Sequence, residues 1–158
     1  MEISIRPAAL EDAPALAALV RGMGQFRWME ETSPAEVGER VARHLAQCLT
    51  DDSHSVFVAE GADGALLGFC SVHWLPYLIM PGPEGYVSEL FVSPSARGLG
   101  AGSALLEAAE KAGREHGCFR LMLVNMRQRE SYQRGFYKKH GWREREEAAN
   151  FVIVLTGE

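Results

Sequence analysis

Cysteine is scarce in this chain. There are three among 158 residues, Cys48, Cys70 and Cys118. They are odd in number and far apart, and no Cys-x-x-Cys occurs, which argues against a disulfide framework and against a zinc site. Each reads as a small thiol of a reducing cytoplasm. The five histidines (44, 54, 73, 116 and 140) are scattered and suggest no metal. An excess of basic charge is also missing, since the formal net charge is −5. That argues against a nucleic-acid partner and fits a cationic small molecule or peptide. The basic residues cluster late, from Arg127 to Arg145. No long apolar run exists: residues 65–80 are broken by Gly68, His73 and Pro76, so no membrane span is expected. The first dozen residues carry Arg6, Glu11 and Asp12 where a signal peptide needs apolar residues, and a cytoplasmic protein is expected. Repeats and low-complexity tracts are absent. The hydrophobic fraction is 47%, enough for a real core. One domain covering 1–158 is the natural count.

One stretch carries chemistry. Val87 to Val92 is apolar and β-branched, with Glu89 set in it, and Pro94 ends it. Glycines follow at 98, 100 and 102. A helical pattern then starts at once, with Ala101, Ala104, Leu105, Ala108, Ala109 and Ala112 on one face. A helix opening on a glycine-rich loop offers unpaired backbone N–H groups at the positive end of its dipole. That is an anion site, suited to a phosphate or pyrophosphate. A P-loop would need Gly-Lys-Ser/Thr, but Gly102 is followed by Ser103. A dinucleotide fingerprint counted from Gly98 would need glycine where Ser103 stands. A nucleotide-binding protein is therefore disfavoured.

The remaining chain alternates elements. Ile3 and Ile5 suggest a strand ended by Pro7. A helix opens at Glu11-Asp12-Ala13-Pro14 and stops at Gly22 and Gly24. Residues 25–32 read as a loop. Ser33-Pro34-Ala35-Glu36 reads as a capping box before a second helix reaching about Leu49. Ser55 to Glu60 and Leu66 to Trp74 read as two strands of an antiparallel hairpin about a Gly61-Ala62-Asp63-Gly64 turn. Leu75 to Gly85 reads as a long loop. Phe119 to Val124 reads as a buried central strand, Ser131 to His140 as one helix, and Phe151 to Leu155 as a last strand. A further short strand fits Trp142 to Arg145.

Arg97-Gly98-Leu99-Gly100-Ala101-Gly102 is Arg-x-x-Gly-x-Gly, preceded by Leu90-Phe91-Val92. In the order strand, Ser-Pro turn, glycine loop and helix, it resembles the acetyl-CoA signature of the GCN5-related N-acetyltransferase (GNAT) superfamily. Gly135-Phe136-Tyr137-Lys138-Lys139-His140-Gly141-Trp142 resembles the family's Phe-Tyr-x-Lys-x-Gly-Phe block, with Trp in the last slot. The resemblance spans the chain by element order and is strongest from about residue 85 to 142. It implies an α/β (α+β) fold: a mixed, mostly antiparallel sheet of 6–7 strands flanked by about four helices. Acetyl-CoA would lie in the opening between two central parallel strands.

The resemblance further implies that backbone N–H groups of Leu99, Gly100, Ala101, Gly102 and Ser103 hold the CoA pyrophosphate, with Gly98 shaping the loop and Arg97 closing it. Arg97 as a plain surface arginine is the competing reading. Leu90, Phe91 and Val92 would pair by backbone with the pantetheine arm. Family members often have Asn seven residues and Ala four residues before the block's tyrosine; here those slots hold Glu130 and Gln133. Asn125, further back at the strand end, is the candidate contact to the cofactor arm.

The implied reaction is acyl transfer from a thioester to an amine. An ammonium of pKa about 10 must first lose a proton. Glu89 is the candidate base, because an ionised side chain in a buried strand needs a reason; a strand glutamate paired with an arginine is the alternative. Tyr137 is the candidate proton donor to the leaving thiolate, against a core tyrosine with its hydroxyl satisfied. For the acceptor, two clusters could take a cation: Phe26, Trp28, Glu30 and Glu31, or His73, Trp74 and Tyr77. Either could equally be a packing surface or a homodimer contact. The expected function is an acetyl-CoA-dependent N-acetyltransferase acting on a primary amine, without a metal. The alternative from another class is a non-catalytic acyl-CoA-binding sensor.

Overall fold

The computed structural model describes residues 2–156, which fall into two compact units, the first ending at Val124 and the second beginning at Asn125. In the first unit a five-stranded sheet runs in the order β1 (Ile3–Pro7), β2 (His54–Gly61), β3 (Leu66–Leu75), β4 (Glu84–Val92) and β5 (Arg120–Met122). The first four strands are antiparallel neighbours, and β4 with β5 is parallel. Alternation along the strands splits the core between two faces. On one face lie α1 (Ala13–Gly22) and α3 (Pro34–Cys48), whose Leu16, Val20, Val37 and Leu45 pack with Val56, Val58 and Phe69. On the other lies α4 (Ala101–Glu115), which buries Leu105 and Leu106 completely. Each such leucine contributes roughly 2 kcal/mol by leaving water.

Local chemistry explains most boundaries. Ser33 accepts the Glu36 N–H at 3.3 Å and caps α3, as its Ser-Pro-x-Glu sequence requires. Residues 25–32, expected as a loop, contain a short helix, α2 (Arg27–Glu31); Met29 supplies the buried anchor that orders it. Strand β4 begins at Glu84 rather than Val87. Gly85 permits this, because a Cβ there would overlap Trp74 and Leu121. Glu84 itself is fully buried and accepts hydrogen bonds from Arg120 and from the Tyr77 hydroxyl, the latter at 2.8 Å. No helix among the described residues is long and apolar enough to cross a membrane.

The second unit holds α5 (Glu130–Gln133) and α6 (Phe136–Lys139). They replace the single helix expected over 131–140, because Gly135 takes a left-handed φ of 66° between them. Tyr132 donates to both carboxylate oxygens of Glu144 at 3.0 Å, and Lys138 pairs with the same carboxylate at 3.2 Å.

The strand count differs from expectation. Among the described residues the sheet has five strands, not six or seven, and six α-helices stand where about four were expected. Phe151 to Leu155 makes no ladder and is 66–91% exposed. No strand forms over 142–145 either. A β-prone pattern becomes a strand only when an edge pairs with it. For the same reason β5 is the edge of the sheet instead of a central strand, only half-buried and three residues long.

Candidate active site

The glycine loop has the form its sequence demands. Gly98 and Gly100 have φ of 78° and 93°, a region that favours glycine. Gly100 caps α4 with no side chain capping the helix end. The N–H groups of Ala101 and Gly102 belong to the first turn, where a helix has no internal carbonyl to offer them, and Ser103 follows in the same turn. Leu99 differs from expectation, since its N–H is donated to the Ala96 carbonyl at 3.3 Å. Nothing lies within 4 Å of a Cβ placed on Gly98 or Gly100. The loop therefore leaves space above donors that carry positive potential, and it fits a phosphate group. Arg97 is exposed beside it.

Strand β4 leads into that loop. Its parallel register with β5 runs from Glu84↔Arg120 to Tyr86↔Met122 and goes no further, so Leu90, Phe91 and Val92 lie beyond the last β4–β5 pair. On its other side β4 carries a bulge against β3. Ser71 faces Glu89 while Val72 faces Val87, so Ser88 is the extra residue. The bulge puts consecutive side chains on one face. Glu89 lies opposite Ser71, and Ser88 Oγ hydrogen-bonds His73 Nε2 at 2.9 Å, two residues along the same strand face.

Glu89 has no hydrogen-bond or ion-pair partner among the described residues. Its carboxylate reaches water, yet its surroundings are dense enough that burial raises its pKa above the ordinary carboxylate value. Both statements hold for a side chain with a packed base and an open tip. Its charge in turn helps raise the thiols of Cys48 and Cys70, after burial, with Cys70 pushed up to about 12. The expected arginine partner for a merely structural glutamate is not there.

The acceptor candidates separate. Phe26 meets Phe91 edge-on at 5.6 Å, on the Glu89 face. Trp28 instead stacks under the Arg40 guanidinium at 4.5 Å, and Glu31 pairs with Arg27 at 2.7 Å. Glu30 is exposed. His73 stands with Ser88. Trp74 points to the opposite face, where it stacks on His116 at 4.2 Å and donates to Ser55. Tyr77 reaches Glu84 in the loop. Sequence reasoning missed the Ser88–His73 pair and its neighbour His54, whose ring lies 4.3 Å from His73. A bulge has no residue signature, so no signal marked Ser88 as sharing a face with Glu89.

In the second unit, Tyr137 is half-buried on α6, between Phe136 at 5.0 Å and Trp142 at 6.0 Å. Asn125 Oδ1 accepts from Ser131 at 3.2 Å, while its Nδ2 is buried with no hydrogen-bond partner. An orphaned amide N–H costs about 1–3 kcal/mol, and it fits a ligand carbonyl.

Comparison with known proteins places the arrangement. The acetyltransferase (GNAT) family model matches residues 22–142. The chain belongs to the acetyltransferase (GNAT) family. It is an N-acetyltransferase by that membership and by its named relatives. An aminoglycoside N(6')-acetyltransferase type 1 of Stenotrophomonas maltophilia is 31% identical over 156 residues, covering 96% of this chain and 94% of the relative. A mycothiol acetyltransferase of Paenarthrobacter aurescens (strain TC1) is 32% identical over 127 residues, covering 73% of this chain but 38% of that longer protein. Among solved structures, an integron cassette protein from the mobile metagenome of V. cholerae superimposes with a TM-score of 0.81 at 21% identity, covering 98% of this chain and 93% of the other. That likeness speaks to fold alone.

Proposed function

We propose that this N-acetyltransferase moves an acetyl group from acetyl-CoA to the primary amine of a small molecule or peptide, with residues 1–158 acting as one catalytic domain. The observation that carries the reading is Glu89: a carboxylate with a packed base, an open tip and no hydrogen-bond or ion-pair partner among the described residues, on the strand that feeds the glycine loop. Acetyl-CoA supplies a thioester carbon that accepts a nucleophile. The first-turn amides of α4 bind its pyrophosphate, with Arg97 beside them, and Leu90 to Val92 together with Asn125 hold its arm. Glu89 takes the proton from the incoming ammonium, directly or through a water, and frees the nitrogen lone pair. As the new C–N bond forms and the C–S bond breaks, Tyr137 gives its phenolic proton to the departing sulfur. The Tyr137 role rests on the family block around it. A base with a raised pKa suits an amine better than an ordinary carboxylate does.

Phe26, on the Glu89 face, is the aromatic best placed to meet an acceptor. One relative is named for aminoglycosides and another for mycothiol, so amino sugars head the acceptor panel, followed by polyamines, amino acids and peptides. Thiol release from acetyl-CoA across that panel tests the reading. Release with at least one amine is the expected result. Tight CoA binding with no release on any amine would replace the enzyme with a sensor.

A further inference from the structure

The bulge at Ser88 has a chemical consequence. It places Ser88 and Glu89 side by side on one face, and protic side chains stand in a row beyond them. Ser88 Oγ lies 2.9 Å from His73 Nε2. The His73 ring meets His54 edge-on at 4.3 Å. His54 Nδ1 is 2.6 Å from Ser53 Oγ, and Ser53 is exposed. The two histidines stand directly opposite each other on β2 and β3, so the path is built into the ladder. Burial, with a smaller contribution from His54, lowers the His73 pKa; in the tautomer with its proton on Nδ1, Nε2 accepts from Ser88.

Resting on Glu89 as the base, we infer that Ser88 and His73 form a proton-exit relay that restores Glu89 after each transfer. The steps balance. The ammonium N–H bond breaks and Glu89 becomes the carboxylic acid. Its proton passes to Ser88 Oγ, directly or through one water, as the Ser88 hydroxyl proton moves to His73 Nε2. The His73 Nδ1 proton leaves to water, and a turn of the ring or proton exchange with water returns His73 to the tautomer with Nε2 free before the next turnover. Glu89 returns to carboxylate, and one proton has reached solvent. Such a route matters when donor and acceptor together cover the open tip of Glu89. Ser88 and His73 touch no reacting atom; they act through Glu89.

The test compares His73→Gln with His73→Ala, using acetyl-CoA and the best amine of the panel. Glutamine can keep a hydrogen bond to Ser88 but carries no proton. Both variants should lose about tenfold or more in kcat, with acetyl-CoA affinity and melting temperature close to wild type. Free imidazole should restore part of the rate to His73→Ala. Wild-type kcat in His73→Gln, or no gain from imidazole in His73→Ala, overturns the relay. Glu89→Gln measured alongside separates the two readings. If it is slow while His73→Gln is normal, the relay alone falls. If Glu89→Gln turns over normally, Glu89 is not the base and the relay falls with it.

Discussion

Removing Arg120 tests how the parallel β4–β5 pair at the edge of the sheet is held. Glu84 is 0% exposed, and among the described residues its carboxylate has two partners of different worth: the Arg120 guanidinium and the neutral Tyr77 hydroxyl at 2.8 Å. Arg120→Met keeps the length and packing of the stem but strands the carboxylate among apolar neighbours. Breaking one side of a buried ion pair costs about 3–5 kcal/mol. The Arg120 side chain is 37% exposed, so water already weakens the attraction, and the lower end, about 3 kcal/mol, is the expectation here. For a domain of this size each kcal/mol lowers the melting temperature by about 2–4 °C. The variant should therefore melt roughly 6–12 °C below wild type. The double variant Glu84→Gln/Arg120→Met should regain most of that loss, because a neutral amide can still accept from Tyr77 and no charge is left buried. Thermal melting of wild type, Arg120→Met, Glu84→Gln and the double variant, followed by near-ultraviolet circular dichroism, reads the cycle. A single variant within 2 °C or so of wild type, or a double variant no better than the single, would refute the account.

Four further outcomes follow from the geometry. Glu89→Gln should keep acetyl-CoA binding and lose on the order of 10²–10⁴ in turnover, partly recovered at high pH, where the amine deprotonates unaided. Since burial raises the Glu89 pKa, the wild-type charge opposes folding above that value. The glutamine variant should then melt no lower than wild type at neutral pH and lose any advantage in acid, which a melting series across pH will show. Gly100→Val should raise the acetyl-CoA dissociation constant tenfold or more, about 1.4 kcal/mol; unchanged affinity in a folded variant, measured by calorimetry, would remove the loop as the cradle. Tyr137→Phe should lower kcat more than it weakens acetyl-CoA binding, and less so with an acyl donor whose thiol is more acidic; full turnover with a lowered melting temperature would leave it a packing residue. Asp12 accepts both Arg6 Nη atoms at 2.8 and 2.9 Å and the Ala9 N–H at 2.8 Å, and the Arg6 hydrogen bonds hold its pKa below the usual value. Asp12→Asn should cost about 1–3 kcal/mol at pH 7, a gap that narrows only as the pH falls below about 4; urea melts at two pH values will read it.

The sequence by itself determined what depends on neighbours along the chain. Ser33 and Pro34 start a helix wherever they lie, because the cap bond is three residues long. The glycines at 98 and 100 specify a left-handed loop, and the alanine and leucine stripe behind them specifies the amphipathic helix. The glycine loop and the family were therefore legible. Only the tertiary structure decided what depends on pairing between distant strands. Whether Phe151 to Leu155 forms a strand is a matter of finding an edge, and its alternation carries no information about that. Whether Ser88 joins Glu89 on one face hangs on a one-residue slip against β3, which reverses every side chain beyond it. His73 and Trp74 looked like one cluster because they are adjacent; a strand sends neighbours to opposite faces, so one went to Ser88 and the other to His116.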